Sequence, residues 1–213
     1  MRAGKNWLRY ITTIVLAIGF TGVMGSEITA TNFLGFAVVC MIIYGLMVHT
    51  ESFFNPENKN KRIKLMGHGV LLLLSLSVVA SGMYEKQHMY MMQVGQVDTS
   101  EDMTVRFAES AQEKRQNHDA EIINIEVKGK GRTMSFYPEI RTYKSGSIIK
   151  QKTDIANFFF YDIYVATSKI SERDYLVRVY IKPLQSFFWI FGIVMGLMGI
   201  YQSVREKRSW HVK

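Results

Sequence analysis

Residues 66–83 read MGHGVLLLLSLSVVASGM, a run that contains no Lys, Arg, Asp or Glu. As an α-helix this run would extend about 25 Å, the short end of the range that crosses the hydrocarbon core of a bilayer. Three further runs share these properties, at residues 10–25, 33–48 and 187–204. The sequence therefore predicts a membrane protein with four transmembrane α-helices, three before and one after a long polar stretch, and excludes an ordinary soluble enzyme.

The basic residues are concentrated beside the apolar runs. Of the formal net charge of +8, residues 1–9 carry +3, residues 50–65 carry +2 and residues 205–213 carry +3. Four spans place these three segments on one side of the membrane, which the positive-inside rule assigns to the cytoplasm. We therefore expect an inner-membrane protein with both termini cytoplasmic. Residues 84–186, with a net charge of only +1, would be extracytoplasmic and unsuited to nucleic acid.

The polar stretch has the alternation of an all-β domain. Apolar and polar residues alternate from Ile123 to Val127 and again from Val177 to Ile181, which is typical of strands with one buried face. Residues 109–119 (ESAQEKRQNHD) lack this periodicity, and we interpret them as a loop or a short solvated helix. The predicted organisation is a three-helix membrane region at 1–83, a β domain at 84–186, and a final helix with a basic tail at 187–213.

His68 is the candidate functional residue. It falls in the first turn of the third predicted span, where an ionisable side chain is unfavourable unless it has a partner. Imidazole is a common ligand of haem iron, and the flanking Gly67 and Gly69 would let a flat macrocycle approach the helix. An interfacial histidine that hydrogen-bonds to headgroups or to a neighbouring helix is the plainer alternative.

The other candidate residues are weaker. His49, at the end of the second span, is either a second axial ligand or an interfacial histidine whose polar tip reaches toward water. His88, His118 and His211 lie in polar sequence and are expected to be solvated. Cys40 is the single cysteine, so neither an internal disulfide nor a Cys-x-x-Cys-His attachment site for c-type haem exists. We recognise no catalytic residue of a hydrolase or a phosphate-binding loop.

One motif stands out in the β domain. Residues 137–143 read YPEIRTY, which places Glu139, Arg141 and Tyr143 on one face of a strand. Arg141 either pairs with Glu139 or grips a carboxylate of a haem or a partner.

Several short motifs follow one another in an order that resembles the C-terminal third of CcmF, the large membrane subunit of the System I cytochrome c maturation haem lyase. The similarity is best from about residue 60 to the end. The matching residues are Met66-Gly67-His68-Gly69-Val70, Tyr137-Pro138-Glu139, Arg141, Tyr143, Thr153-Asp154-Ile155-Ala156, Asp162-Ile163-Tyr164-Val165, Val177-Arg178 and Lys182-Pro183-Leu184.

The resemblance implies a haem b buried among membrane helices and held by two histidines from different spans. His68 matches the more C-terminal of the two, which makes it the expected axial ligand of the haem iron. In this family the haem is thought to keep the incoming haem reduced while thioether bonds form.

The chain also departs from the family. The tryptophan-rich segment that handles haem has no counterpart, because the only tryptophans are Trp7, Trp189 and Trp210. The resemblance therefore implies a split CcmF whose other part, on a partner chain, supplies that segment and the second ligand. Alone, this component of the haem lyase complex would be inactive. Haem chaperone and apocytochrome c thioreduction components are the further partners implied.

Two alternatives remain at this point. One is a non-catalytic membrane scaffold whose β domain binds a partner. The other is an assembly subunit of the ResB type from System II, which also has three spans, an outer domain and a last span; the short outer domain and the motif at 137–143 favour CcmF.

Overall fold

The computed structural model describes residues 3–24, 33–55, 62–100, 103–129, 131–145 and 148–210. His211, expected to be solvated, lies outside these ranges, as do the last residue of the apolar run 10–25 and parts of the basic segments 1–9, 50–65 and 205–213. The chain divides into two compact units. The helical unit comprises Met1–Glu85, Phe159–Tyr161 and Pro183–Lys213, and the sandwich unit comprises Lys86–Phe158 and Asp162–Lys182.

Four helices form the helical unit: α1 (Ala3–Val23), α2 (Phe33–Phe54), α3 (Arg62–Met83) and α4 (Gln185–Trp210). Within the described residues, three stretches are long and apolar enough to cross a membrane, namely Gly35–Phe54, Arg62–Met83 and Gln185–Val204. The apolar stretch of α1, Trp7–Val23, is shorter. Three N-terminal helices and one C-terminal helix on either side of a β domain confirm the predicted fold class.

Contacts between neighbouring helices show how their ends are arranged. The Arg9 guanidinium in α1 forms an ion pair with the Glu51 carboxylate in α2, with Nε and Oε1 3.1 Å apart. At the other end, the Ser81 hydroxyl near the end of α3 donates to the Gln185 side chain at the start of α4. The start of α1 and the end of α2 therefore lie at the same end of the helical unit.

Ten strands form the sandwich unit. Their bounds are β1 (Lys86–Met92), β2 (Val97–Thr99), β3 (Met103–Lys114), β4 (His118–Gly129), β5 (Arg132–Phe136), β6 (Glu139–Tyr143), β7 (Ile148–Lys152), β8 (Asp154–Asn157), β9 (Tyr161–Lys169) and β10 (Tyr175–Pro183).

The strands form two sheets that enclose one apolar core. One sheet has the order β1-β10-β9-β8, and the other has the order β2-β3-β4-β6-β7 with β5 paired to β4. The predicted alternation is confirmed, since Ile123, Ile125 and Val127 in β4 and Val177 and Val179 in β10 all point into this core. Burial of these apolar side chains is the main favourable contribution to the stability of the sandwich.

The interpretation of residues 109–119 as a loop or helix was wrong for 109–114 and 118–119, which are strands, and holds only for 115–117. β3 continues to Lys114 and pairs with β4 as far as Lys114↔Asp119, after a bulge between Phe107 and Glu109. Both faces of this outer part of β3 are exposed from Glu109 onward, so no alternation marks it as a strand. His118, expected to be solvated, is also buried, with only 7% of its surface exposed.

Candidate functional site

The imidazoles of His49 and His68 lie side by side across the α2–α3 interface. The ring centroids are 5.9 Å apart and the planes meet edge to face at 87°. Nε2 of His49 forms a hydrogen bond with the backbone carbonyl oxygen of Leu65. Because a carbonyl only accepts, this nitrogen carries the proton, and its lone pair lies on Nδ1. The Nε2 atom of His49 is thus not free to bind iron in this arrangement.

His68 differs from His49 in its surroundings. Its side chain is exposed, and among the described residues it has the ring contact with His49 and no hydrogen bond. A neutral imidazole with a free ring nitrogen at the helix surface is the form that ligates haem iron.

The two glycines beside His68 have different environments. A methyl group placed on Gly69 would meet Cδ2 of His49 at 3.5 Å, so that side of α3 is filled. A methyl placed on Gly67 would meet no atom of the described residues within 4 Å. A flat ligand held by His68 therefore has open space over Gly67 and not over Gly69.

His68 belongs to an outward-facing stripe along α3. The exposed residues on this stripe follow helical spacings of three, four or seven: Lys64, His68, Leu71, Val78 and Gly82. A mostly apolar stripe with one imidazole is suited to contact with lipid, a macrocycle or another helix. The described residues fit a haem on one side only, because this face of α3 presents a single imidazole, that of His68, and Nε2 of His49 is bonded to Leu65.

The motif at 137–143 forms an ionic network at the start of β6. The Glu139 carboxylate, with only 8% of its side chain exposed, accepts from Arg141 Nε at 2.7 Å and from Lys152 Nζ at 2.9 Å, and Arg115 Nη1 lies at 3.4 Å. Burial raises the pKa of the Glu139 carboxyl, but the hydrogen bonds and charges of Arg141 and Lys152 outweigh burial and hold the pKa at about 2. The structure thus pairs Arg141 with Glu139.

A second motif of the sequence, Thr153-Asp154-Ile155-Ala156, contacts the same region. The Asp154 carboxylate accepts from the backbone N–H of Tyr137 at 2.7 Å and from that of Ile155 at 2.9 Å. The backbone N–H of Ile123 donates to the carbonyl of Pro138 at 3.0 Å. These motifs therefore fix the path between β5 and β6, and their local role is structural.

Comparison with known proteins agrees with this architecture. Residues 83–183 match the family model described as the CcmF C-terminal beta-sandwich. Over 150 residues, or 70% of this chain, the sequence is 25% identical to the cytochrome c-type biogenesis protein CcmF of Pseudomonas aeruginosa, of which it covers 23%. The solved structure of the cytochrome c heme lyase CcmF has the same fold, with a TM-score of 0.68, 13% identity, and coverage of 92% of this chain and 34% of that one.

The fold and the site define a multi-pass membrane protein with a β-sandwich inserted before its last helix. Residues 83–183 match the CcmF C-terminal beta-sandwich family, and the chain is similar to a C-terminal part of CcmF. The resemblance deduced from the motifs is confirmed. The chain spans about a quarter to a third of the length of the CcmF proteins that it matches.

Sequence reasoning identified His68 but not its neighbours. It left the role of His49 open, and it missed Arg115 and Lys152 as partners of Glu139. The spacing of Glu139 and Arg141 suggested their ion pair as one of two alternatives, because both lie on one face of a strand. Arg115 lies in the β3–β4 turn and Lys152 in β7, and no local pattern connects them to Glu139.

Proposed function

We propose that this chain is a subunit of a cytochrome c maturation haem lyase complex, in which His68 is an axial ligand of a haem b shared with a partner chain. The observation that carries the proposal is the exposed His68 imidazole beside the open surface of Gly67, at the helix end where α2 and α3 meet. The relation to CcmF supplies the identity of the ligand as haem.

The roles of the chain's own residues follow from this placement. His68 would donate a ring-nitrogen lone pair to the iron, and the His49 ring would limit rotation of the His68 ring by edge contact. Gly67 would leave room for the macrocycle. A haem b bound here would supply one-electron redox chemistry, consistent with keeping an incoming haem reduced.

A second polypeptide is needed to complete the site. One axial position would be filled by His68, and the other by a histidine of the part of CcmF that also bears the tryptophan-rich segment. The outward stripe of α3 and the open surface at Gly192, Gly196 and Gly199 of α4 support such a contact, since a methyl on any of these three would meet no described atom within 4 Å. The sandwich is then the docking surface for haem chaperone or apocytochrome.

We place the complex in the inner membrane on the charge distribution. The end of the helical unit that bears Arg9, His49 and Arg62 would be cytoplasmic, with residues 84–186 on the opposite side. This keeps the proposed organisation of a membrane region at 1–83, an extracytoplasmic β domain at 84–186, and a last helix with a cytoplasmic tail at 187–213.

The test is a pyridine haemochrome spectrum of the chain co-expressed and co-purified with the polypeptide that carries the tryptophan-rich segment. We expect b-type absorbance in the complex, loss of it in His68→Ala, and retention in the matched control His88→Ala in β1. Co-purification of the two chains should survive His68→Ala. Wild-type absorbance in His68→Ala would refute the ligand assignment, and a haem-free complex would favour the non-catalytic scaffold.

A further inference from the structure

The connection between β8 and β9, together with the first residue of β9, carries the longest aromatic run in the chain, Phe158-Phe159-Phe160-Tyr161. The Phe159 and Phe160 side chains are 63% and 64% exposed. Connections between strands are ordinarily built from Gly, Asn, Asp, Ser and Pro, and adjacent exposed phenylalanines there require a physical reason.

Contacts with α4 fix the position of this aromatic tip, defined here as Phe159–Tyr161. The Phe159 and Phe187 ring centroids are 4.9 Å apart, and those of Phe160 and Phe187 are 6.1 Å apart. The backbone N–H of Leu184 donates to the carbonyl oxygen of Phe160 at 2.8 Å. The aromatic tip therefore belongs to the helical unit.

The first turns of α4 indicate at which level of the bilayer the aromatic tip lies. The apolar stretch of α4 begins at Gln185, and the Trp189 ring, 62% exposed, follows one turn later. Aromatic side chains at the ends of transmembrane helices lie at the headgroup level of the bilayer. The hydrogen bond between Ser81 and Gln185 brings the end of α3 to the same level. Phe159 and Phe160 thus lie beside the ends of two spans.

We propose that Phe159 and Phe160 insert into the interface between headgroups and acyl chains of the leaflet at this end of the helices. The occupant of this surface is lipid, because the tip is continuous with the apolar surface of a membrane-spanning helix and contains no charged residue. Tyr161, 38% exposed, presents an apolar ring with a polar end, which suits the same interface. The tip therefore attaches the β8–β9 connection to the membrane surface independently of haem.

Spin-label accessibility of the full chain in liposomes of phosphatidylethanolamine and phosphatidylglycerol tests this proposal. In a Cys40→Ala background, a nitroxide is attached at Phe160→Cys, and its collision rates with oxygen and with a water-soluble nickel chelate are compared. Ile193→Cys in α4 (63% exposed) is the lipid reference, and Ile149→Cys in β7 (66% exposed) is the aqueous control. We expect the oxygen-to-nickel ratio at 160 to exceed that at 149 several-fold and to approach that at 193.

Two results would overturn the proposal. A ratio at 160 equal to that at 149 would place the tip in water, and protection from both reagents would show that protein covers it. Should the Cys40→Ala background fail to fold, Phe160→Trp and Ile149→Trp in liposomes of brominated lipid give the same answer. Extra fluorescence quenching is expected for Phe160→Trp only, and equal quenching of the two variants would contradict lipid contact.

Discussion

The imidazole of His49 meets that of His68 edge to face at 5.9 Å, while Nε2 of His49 bonds to the carbonyl oxygen of Leu65 one turn before His68. Through His49, α2 thus contacts both the backbone of Leu65 and the side chain of His68. We expect a positioning role for His49, because its protonated nitrogen is bonded to Leu65 and its ring contacts that of His68.

The His49 contact leads to a first prediction. We expect His49→Ala in the co-purified complex to keep most of the b-type haem but to change the spectrum or midpoint potential, because the His68 ring gains rotational freedom. His49→Gln, which retains an N–H donor for Leu65, should lie closer to wild type. Loss of haem in both variants, to the level of His68→Ala, would instead identify His49 as the second axial ligand.

The open surface at Gly67 leads to a second prediction. A Cβ at Gly67 would meet no described atom within 4 Å, so Gly67→Leu should fold and assemble normally, yet its side chain would fill the space proposed for the macrocycle. We expect b-type absorbance to fall strongly while co-purification is unchanged. Gly22→Leu in α1, equally open, is the matched control and should leave absorbance intact. Full haem content in Gly67→Leu would place the macrocycle elsewhere.

The network around Glu139 predicts a pH dependence of stability. Its pKa in the folded state, about 2, lies below the ordinary 4.5, so the stabilisation is present above pH 4.5 and is lost as the pH falls toward 2. We expect Glu139→Gln to lower the free energy of unfolding at pH 7 by about 2 kcal/mol, since Lys152 and Arg115 retain access to water.

Thermal unfolding of the purified chain in detergent, followed by circular dichroism between pH 3 and pH 7, measures this effect. The difference between wild type and Glu139→Gln should shrink as the pH falls. Glu109→Gln, on the exposed outer part of β3, is the control and should change stability little. A difference that stays constant with pH would show that the charge of Glu139 is not what stabilises the sandwich.

Asp154 provides a fourth prediction. Replacing it with Ala removes the acceptor for the backbone N–H groups of Tyr137 and Ile155. We expect a loss of about 1 kcal/mol, which corresponds to a fall in the unfolding temperature of about 4–8 °C for a domain of this size. Asp98→Ala in β2 is the comparison. An equal shift in both variants would mean that the β5–β6 path does not depend on Asp154.

The strands that the sequence could predict are those with one buried face and one face toward solvent. Val177 and Val179 alternate with polar residues because one face of β10 is buried, and that alternation is visible without a structure. Glu109–Lys114 has no buried face, so only its pairing with β4 makes it a strand. His118 was missed because its neighbours in sequence are polar, and its contact with the Tyr143 ring arises from the pairing of β4 with β6.

In the candidate site too, the sequence could predict one feature and not the others. His68 could be found because an ionisable side chain inside an apolar run is unfavourable on its own. The contact of His68 with His49 depends on how α2 and α3 pack. That packing also places the His49 ring against Gly69 and leaves the surface at Gly67 open. These are relations between residues distant in sequence, which periodicity does not encode.

Leu184 joins β10 to α4 with a positive φ of 55°, a conformation that disfavours most side chains. One added residue at this joint would rotate α4 by about 100° about its axis and carry Phe187 away from Phe159. Insertions and deletions should therefore be tolerated less at this joint than substitutions, because the hydrogen bond from Leu184 to Phe160 and the contact of Phe187 with Phe159 both depend on the number of residues that lead into α4.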